Sequence, residues 1–338
     1  MHAAFVRGTA VDPHGNITLR EEAAQLDALA VAQAARACGG VVLAQVRERL
    51  PDPLPPGDVH IPRHLVDTVT LCPDQQQTYL GGYDPALYGR TPVAAEPEPT
   101  PPTCPIRRLI ARRAALEVQP GQLINLGFGV SSEVADALAE QRRTGEITFS
   151  VEQGHTGGMP LTGAMFGTCR GQEVTLSSPS QFDLYAAGIL DAAFLGLGQV
   201  DAAGSVNVHR LGPGIIGPGG FVDISQNARR VIFCGHFTTG GARVKARDGR
   251  LHIQREGDTA KFVHRVTEAT FSGPQALARG QDVLYVTERA VFRLTHDGLE
   301  LTELAPGIDI EQHLLPHMGF TPRYREPQPM PAHLFDAS

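Results

Sequence analysis

Thr148-Phe-Ser-Val-Glu152-Gln-Gly154-His-Thr-Gly157-Gly158 is a short apolar run that ends on a lone glutamate and breaks into glycine. It reads as a strand with a reactive side chain at its carboxyl end, where α/β folds present catalytic groups. A carboxylate in that position serves as an acid, a base or a nucleophile. Upstream, Leu123–Leu126 is a second apolar strand, and it runs into Gly127-Phe-Gly129-Val130. Ser131 or Ser132 is expected to cap the helix that follows, about 132–142. Before that strand, Ile106–Val118 reads as a helix with Leu109, Ile110 and Ala114 inward and a cationic face of Arg107, Arg108, Arg112 and Arg113.

Further out, Thr91 to Pro105 holds six prolines, which suit neither a helix interior nor a central strand. A domain boundary is expected there. Upstream of it, Phe5 to Gly8 and Ile17 to Leu19 have strand character and flank the turn Asp12 to Asn16. Glu21 to Ala37 reads as a helix with Leu26, Leu29, Ala30 and Ala34 on one stripe, and Val41 to Val46 as a buried strand. Towards the C-terminus, Asp248-Gly249 and Asp297-Gly298 each sit between alternating runs and predict β-hairpins.

The chain has 338 residues, room for two domains at roughly 150 residues each. With 42% hydrophobic and 19% charged residues it can build a core. A net charge of −7, no basic run and no Trp argue against nucleic-acid binding. No stretch reaches the roughly 18 uninterrupted apolar residues of a membrane span. The first residues lack a cationic start followed by an apolar core, so no signal peptide is read there. Five scattered cysteines without a C-x-x-C spacing fit a reduced, cytoplasmic protein.

Three glycine clusters follow apolar runs: Gly127-x-Gly129, Gly154 with Gly157-Gly158, and Gly212 to Gly220. The third contains G-x-G-x-x-G as a string, but Pro213 and Pro218 interrupt it and no helix clearly begins inside it, so a dinucleotide reading is poor. Glycines also let backbone N–H groups approach a developing oxyanion without a Cβ in the way. Any one cluster taken alone is more often a tight turn. The thirteen histidines, His155, His209 and His236 among them, give no metal-ligand spacing, and no nucleophile-elbow serine occurs.

Several stretches together resemble the family I coenzyme A-transferases, closest to the acetate/propionate and 3-oxoacid branch. They are Ile124 to Val130, Val151 to Gly154, Ala193 to Val208, Gly217 to Gln226, Val283 to Thr295 and Ala305 to Asp309. The resemblance is nearly continuous from about Ile106 to Arg323. It implies an α/β fold: an open three-layer α/β domain of the CoA-transferase type over 106–325, with β-hairpins near its end. A partial first domain over 1–90 precedes it, a Pro-rich linker spans 91–105 and a tail covers 326–338. Residues 1–90 resemble only the C-terminal half of the family's first domain.

The resemblance implies that Glu152 is a covalent nucleophile. CoA would pass from a short-chain acyl-CoA to a small carboxylate through a glutamyl-CoA thioester, in ping-pong fashion. Coenzyme A is then substrate and covalent intermediate, with no permanently bound cofactor and no metal. Gly219-Gly220 and Gly129-Val130 are the implied oxyanion and CoA-binding backbone; the Gly154 N–H is a further candidate from position. Asn125, Gln153, Asp223 and Gln226 are candidate supporting residues. The expected partners are acyl-CoA and small carboxylic acids, together with a second copy or a complementary first-domain chain. An acyl-CoA hydrolase on the same fold, or a non-catalytic or partner-dependent half of a split transferase, are the alternatives.

Overall fold

The computed structural model describes residues 1–89, 104–212 and 214–336. In chain order the first elements are β1 (Ala3–Val11), β2 (Ile17–Thr18), α1 (Ala28–Ala37), β3 (Val41–Arg49) and β4 (Thr68–Leu71). After them come α2 (Pro105–Ala115), β5 (Leu123–Leu126), α3 (Glu133–Glu140), β6 (Thr148–Val151), β7 (His155–Thr156), the paired β8 (Met159–Pro160) and β9 (Cys169–Arg170), β10 (Val174–Thr175) and α4 (Ser178–Ala186). The central stretch holds β11 (Ala192–Gly196), the pair β12 (Gln199–Val200) and β13 (Val206–Asn207), the pair β14 (Arg210–Leu211) and β15 (Gly214–Ile215), α5 (Phe221–Asn227) and β16 (Arg230–Cys234). The last elements are β17 (Thr238–Thr239), β18 (Arg243–Arg247), β19 (Arg250–Arg255), β20 (Thr259–Ala260), α6 (Gly273–Ala278), β21 (Asp282–Val286), β22 (Ala290–Thr295), β23 (Gly298–Leu304), α7 (Ile310–His313) and β24 (Gln328–Pro329).

These elements form two compact units: Met1–Ala95 with Phe149–Leu184, and Glu96–Thr148 with Tyr185–Ser338. The division is therefore not a single cut at the proline-rich segment, and Glu152 groups with the N-terminal residues. The expected linker lies outside the described residues except for Cys104 and Pro105, and Pro105 already opens α2. The expected tail is packed: β24 pairs with β23, and Met330, Leu334 and Phe335 are buried.

In the first unit a four-stranded sheet runs in the order β2-β1-β3-β4, with β1, β3 and β4 parallel. α1 packs on one face, where Ala32 and Ala35 join Val6, Val42, Ala44 and Val46. The expected helix start at Glu21 is corrected to Ala28. Residues 21–27 form turns because Glu22 is drawn inward: its carboxylate accepts from Arg7 Nε at 2.8 Å and from the Tyr83 hydroxyl at 2.7 Å. The expected stripe shifts with it, since Leu26 and Ala34 are exposed.

In the second unit, β5, β11, β16 and β21 are parallel neighbours, and β22 and β23 continue the sheet antiparallel. Phe233 on β16 sits among Phe221, Phe271 and Tyr285, with ring centroids 5.0 to 5.8 Å away. The arginines of α2 do not form a solvated face. Arg108 is buried against Glu133, Asp136 and Glu140, and Arg113 is buried between Glu117 and Glu303. Arg230 pairs with Glu117 at 2.7 Å and Asp282 at 2.9 Å, and the exposed Arg229 pairs with Asp191. Both predicted hairpins form, β18–β19 and β22–β23.

Candidate active site

β6 and β7 form an antiparallel hairpin with Val151 opposite His155, so Glu152, Gln153 and Gly154 are the turn itself. The Gly154 N–H donates to the Val151 carbonyl at 2.9 Å, and the Gly154 carbonyl accepts from the Leu176 N–H at 2.8 Å. Gly154 has φ +116°, and a Cβ there would stand 2.0 Å from the Leu176 carbonyl oxygen. Only glycine fits, and the turn is fixed from both sides. The expectation that the Gly154 N–H serves as an oxyanion donor is corrected: that hydrogen closes the turn. Half-buried Glu152 stands at the tip of this pinned turn.

The turn rests on buried polar side chains. Gln181 of α4 donates from Nε2 to the Ser150 hydroxyl at 2.7 Å. Gln153 packs its amide over Gly167, where a Cβ would come within 2.8 Å of the amide carbon, and its Oε1 is buried without a hydrogen-bond partner. His155 is fully buried, with Nδ1 3.3 Å from the Thr175 hydroxyl. Burial pushes its pKa down to about 4, the Ala23 backbone pulling weakly the other way. His155 is therefore neutral and supports the hairpin as part of the core.

A pH dependence follows from that neutrality. Between about pH 6.5 and about 4 the unfolded chain binds a proton at His155 and the native chain does not, so stability is full above that window and falls as pH drops through it. The shift corresponds to roughly 3 kcal/mol. Urea unfolding at pH 7.5 and pH 4.5 should show the loss, and His155→Gln should show a correspondingly smaller difference. An equal difference in both proteins would exclude His155 as the source.

In the second unit several of the turns, the candidate Gly129-Val130 among them, lie at the carboxyl ends of parallel strands. β5 ends in Gly127 to Val130, β11 in Gly196 to Gly198, β16 in Gly235-His236, and β21 in Thr287-Glu288. Gly129 has φ +94°. Among the described residues the N–H groups of Gly129 and Val130 donate to no acceptor, and neither do those of Gly219 and Gly220. Ser131 and Ser132 do not cap α3 by accepting its N–H groups. Their hydroxyls donate instead to the carbonyls of Gly127 at 2.9 Å and Gly129 at 2.8 Å, which ties back the acceptors of the turn. Gly219-Gly220 lead into α5, the crossover between parallel β11 and β16, so this turn lies at the same edge of the sheet.

The candidate supporting residues fall in different places. Asn125 is fully buried within the sheet, 3.5 Å from the Tyr185 hydroxyl, and belongs to the core. Asp223 is exposed in the first turn of α5 and Gln226 is half-buried in the same helix. Neither side chain hydrogen-bonds the Gly217 to Gly220 turn among the described residues.

Sequence reading missed a charged cluster at this edge. Lys261 donates from Nζ to the Leu197 carbonyl at 2.7 Å; burial pushes its pKa down to about 8, with Glu288 pulling up. Glu288, 1% exposed, accepts from the Phe237 N–H at 2.9 Å and from Arg289 Nε at 3.2 Å. Burial also lowers the pKa of His236, against the pull of Glu288. The available signal was the pair Glu288-Arg289, opposite charges directly after the apolar run Val283 to Val286. Among the described residues no group of three or more His, Cys, Asp or Glu could hold a metal ion, and no helix is long and apolar enough to cross a membrane.

No family profile matches the chain. Individual proteins do. Caffeate CoA-transferase of Acetobacterium woodii is 42% identical over 335 residues, covering 95% of this chain and 63% of that one. The beta subunit of acetate CoA-transferase of Escherichia coli K12 is 31% identical over 215 residues, 60% of this chain and 88% of the subunit. Among solved structures, the thioester complex with CoA of the acyl-CoA transferase YdiF from E. coli O157:H7 superposes with a TM-score of 0.89 at 39% identity, covering 98% of this chain and 63% of that one. The chain thus spans a little over three fifths of the longer relatives and most of the shorter one. Sequence and fold agree along nearly its whole length, and the chain belongs to the family I coenzyme A-transferases.

Proposed function

We propose that this chain carries the nucleophile of an enzyme that transfers coenzyme A from a short-chain acyl-CoA to a small carboxylate. The observation that carries the reading is Glu152 at the tip of a hairpin turn that Gly154 and Leu176 hold rigid. An ionised glutamate needs no base or metal to activate it. Its carboxylate attacks the thioester carbonyl, releasing CoA thiolate and forming an acyl-glutamyl anhydride. The thiolate attacks the glutamyl carbonyl, which expels the acyl group as a free carboxylate and leaves a glutamyl-CoA thioester. A second carboxylate repeats both steps in reverse and departs as its own CoA ester. Each tetrahedral intermediate requires N–H donors. Within the second unit Gly129-Val130 and Gly219-Gly220 hold N–H pairs that donate to no acceptor among the described residues, which supports the family-implied role. The relatives' names, acetate and caffeate CoA-transferase, support a carboxylate acceptor.

The test is mass mapping after incubation with acyl-CoA and borohydride. A CoA-dependent change at Glu152 is the expected result. A change elsewhere, or none with or without a complementary polypeptide, overturns the reading. Turnover that rises with acceptor carboxylate marks transfer; turnover independent of it marks hydrolysis.

Partnership is part of the proposal. Parallel sheets are as a rule covered on both faces. One face of β1-β3-β4 bares Phe5 (79% exposed), Val41, Gln45 and Thr70, and this favours a second polypeptide layer, from another copy or a complementary chain. Phe5→Glu is expected to lower the assembly mass in light scattering; an unchanged mass excludes this face as the contact. Cytoplasmic residence belongs to the same proposal and is supported by five cysteines, all unpaired.

A further inference from the structure

We propose that the second unit holds a separate binding site for an amphiphilic anion, an apolar chain with a single carboxylate or phosphate head group. A cavity of about 860 Å³ lies between α2, the β18–β19 hairpin and the turn at 332–335. That volume falls within the roughly 300–1,000 Å³ typical of small-molecule sites. None of its lining residues belongs to the glycine turns or to the Lys261 and Glu288 cluster.

The lining is divided by polarity. Ile106, Leu109 and Leu334 are buried and give the cavity apolar walls. Lys245, Arg247, Arg112 and Arg108 supply the cations, and Arg108 is already held by Glu133, Asp136 and Glu140. Arg112 is already paired with Glu140 at 2.7 Å and Arg247 with Asp248 at 3.0 Å. The Lys245 ammonium makes neither a hydrogen bond nor an ion pair among the described residues, so it is the charge left for a ligand. The acids Asp248 and Asp336 lie at the hairpin turn, where Asp336 Oδ1 stands 3.7 Å from the Cβ position of Gly249. Lys245 and Asp248 are three positions apart along the end of β18 and its turn, roughly 10 Å. One free cation with two acids at the far end favours a single negative charge over a polyanion, and the apolar walls favour a hydrocarbon body.

Titration calorimetry on the full chain tests this with three probes: octanoate, octyl phosphate and 1-octanol. The expected result is one-to-one binding of at least one anion, with Lys245→Glu weakening it at least tenfold and Lys245→Arg retaining it. Lys245 is exposed, so neither variant threatens the fold. Affinity retained in Glu152→Gln supports a site separate from the proposed nucleophile. No binding of either anion, octanol binding as tightly as octanoate, or undiminished binding to Lys245→Glu overturns the proposal. The stronger of the two anions identifies the head group.

Discussion

Glu152→Gln is expected to abolish both the CoA adduct and transferase turnover, by a factor of about 10⁴ or more. Removing a covalent nucleophile costs on this scale because no neighbouring group can substitute for it. In the same hairpin His155 is buried and neutral. The substitution keeps size and hydrogen-bonding shape, and the turn is held by backbone bonds from Gly154, so the fold should survive with a melting temperature within a few degrees of the parent. The measurement is turnover with the best acceptor, under the conditions in which the parent is active, together with thermal unfolding. A residual rate above about one hundredth of the parent's, with the fold intact, would exclude a covalent path through Glu152.

The parts of this chain that were legible in its sequence are those governed by local rules. Apolar runs that break into glycine turns marked β5 and β6. Asp-Gly pairs marked the hairpins, and Asp248 at φ +54° with Gly249 at φ +69° shows why that pair was needed. Glu152 was visible because it and the glycine that closes its turn stand only two positions apart in the chain. What local patterns could not convey is pairing at a distance. Arg113 reads as a solvated helix residue until Glu303, 190 positions away, covers it. Glu22 reads as a helix residue until Arg7 and Tyr83 draw it inward. The Gly154 N–H looked available as a donor because a glycine turn does not announce which of its own hydrogens closes it.

The second large effect is expected from Arg289, which looks like a strand-end surface arginine and is fully buried. Its guanidinium meets Glu256 through two bonds of 2.6 and 2.9 Å, Glu288 at 3.2 Å and the His313 carbonyl at 2.8 Å, and lies over the Phe237 ring. Arg289→Met keeps the bulk and deletes the charge, leaving the Glu288 carboxylate buried with its Phe237 N–H and the field of Lys261 but without its hydrogen-bonded cation. Stranding one partner of a buried pair costs about 3–5 kcal/mol, and for a domain of this size that lowers the melting temperature by roughly 6–20 °C. Glu288→Gln in the same chain removes the stranded charge and should recover much of the loss, since the amide oxygen still accepts from Phe237. Denaturant unfolding of the two single variants and the double variant measures the coupling directly. A loss below about 1 kcal/mol in Arg289→Met would mean that water reaches the carboxylates and that this edge of the sheet is wetter than its packing indicates.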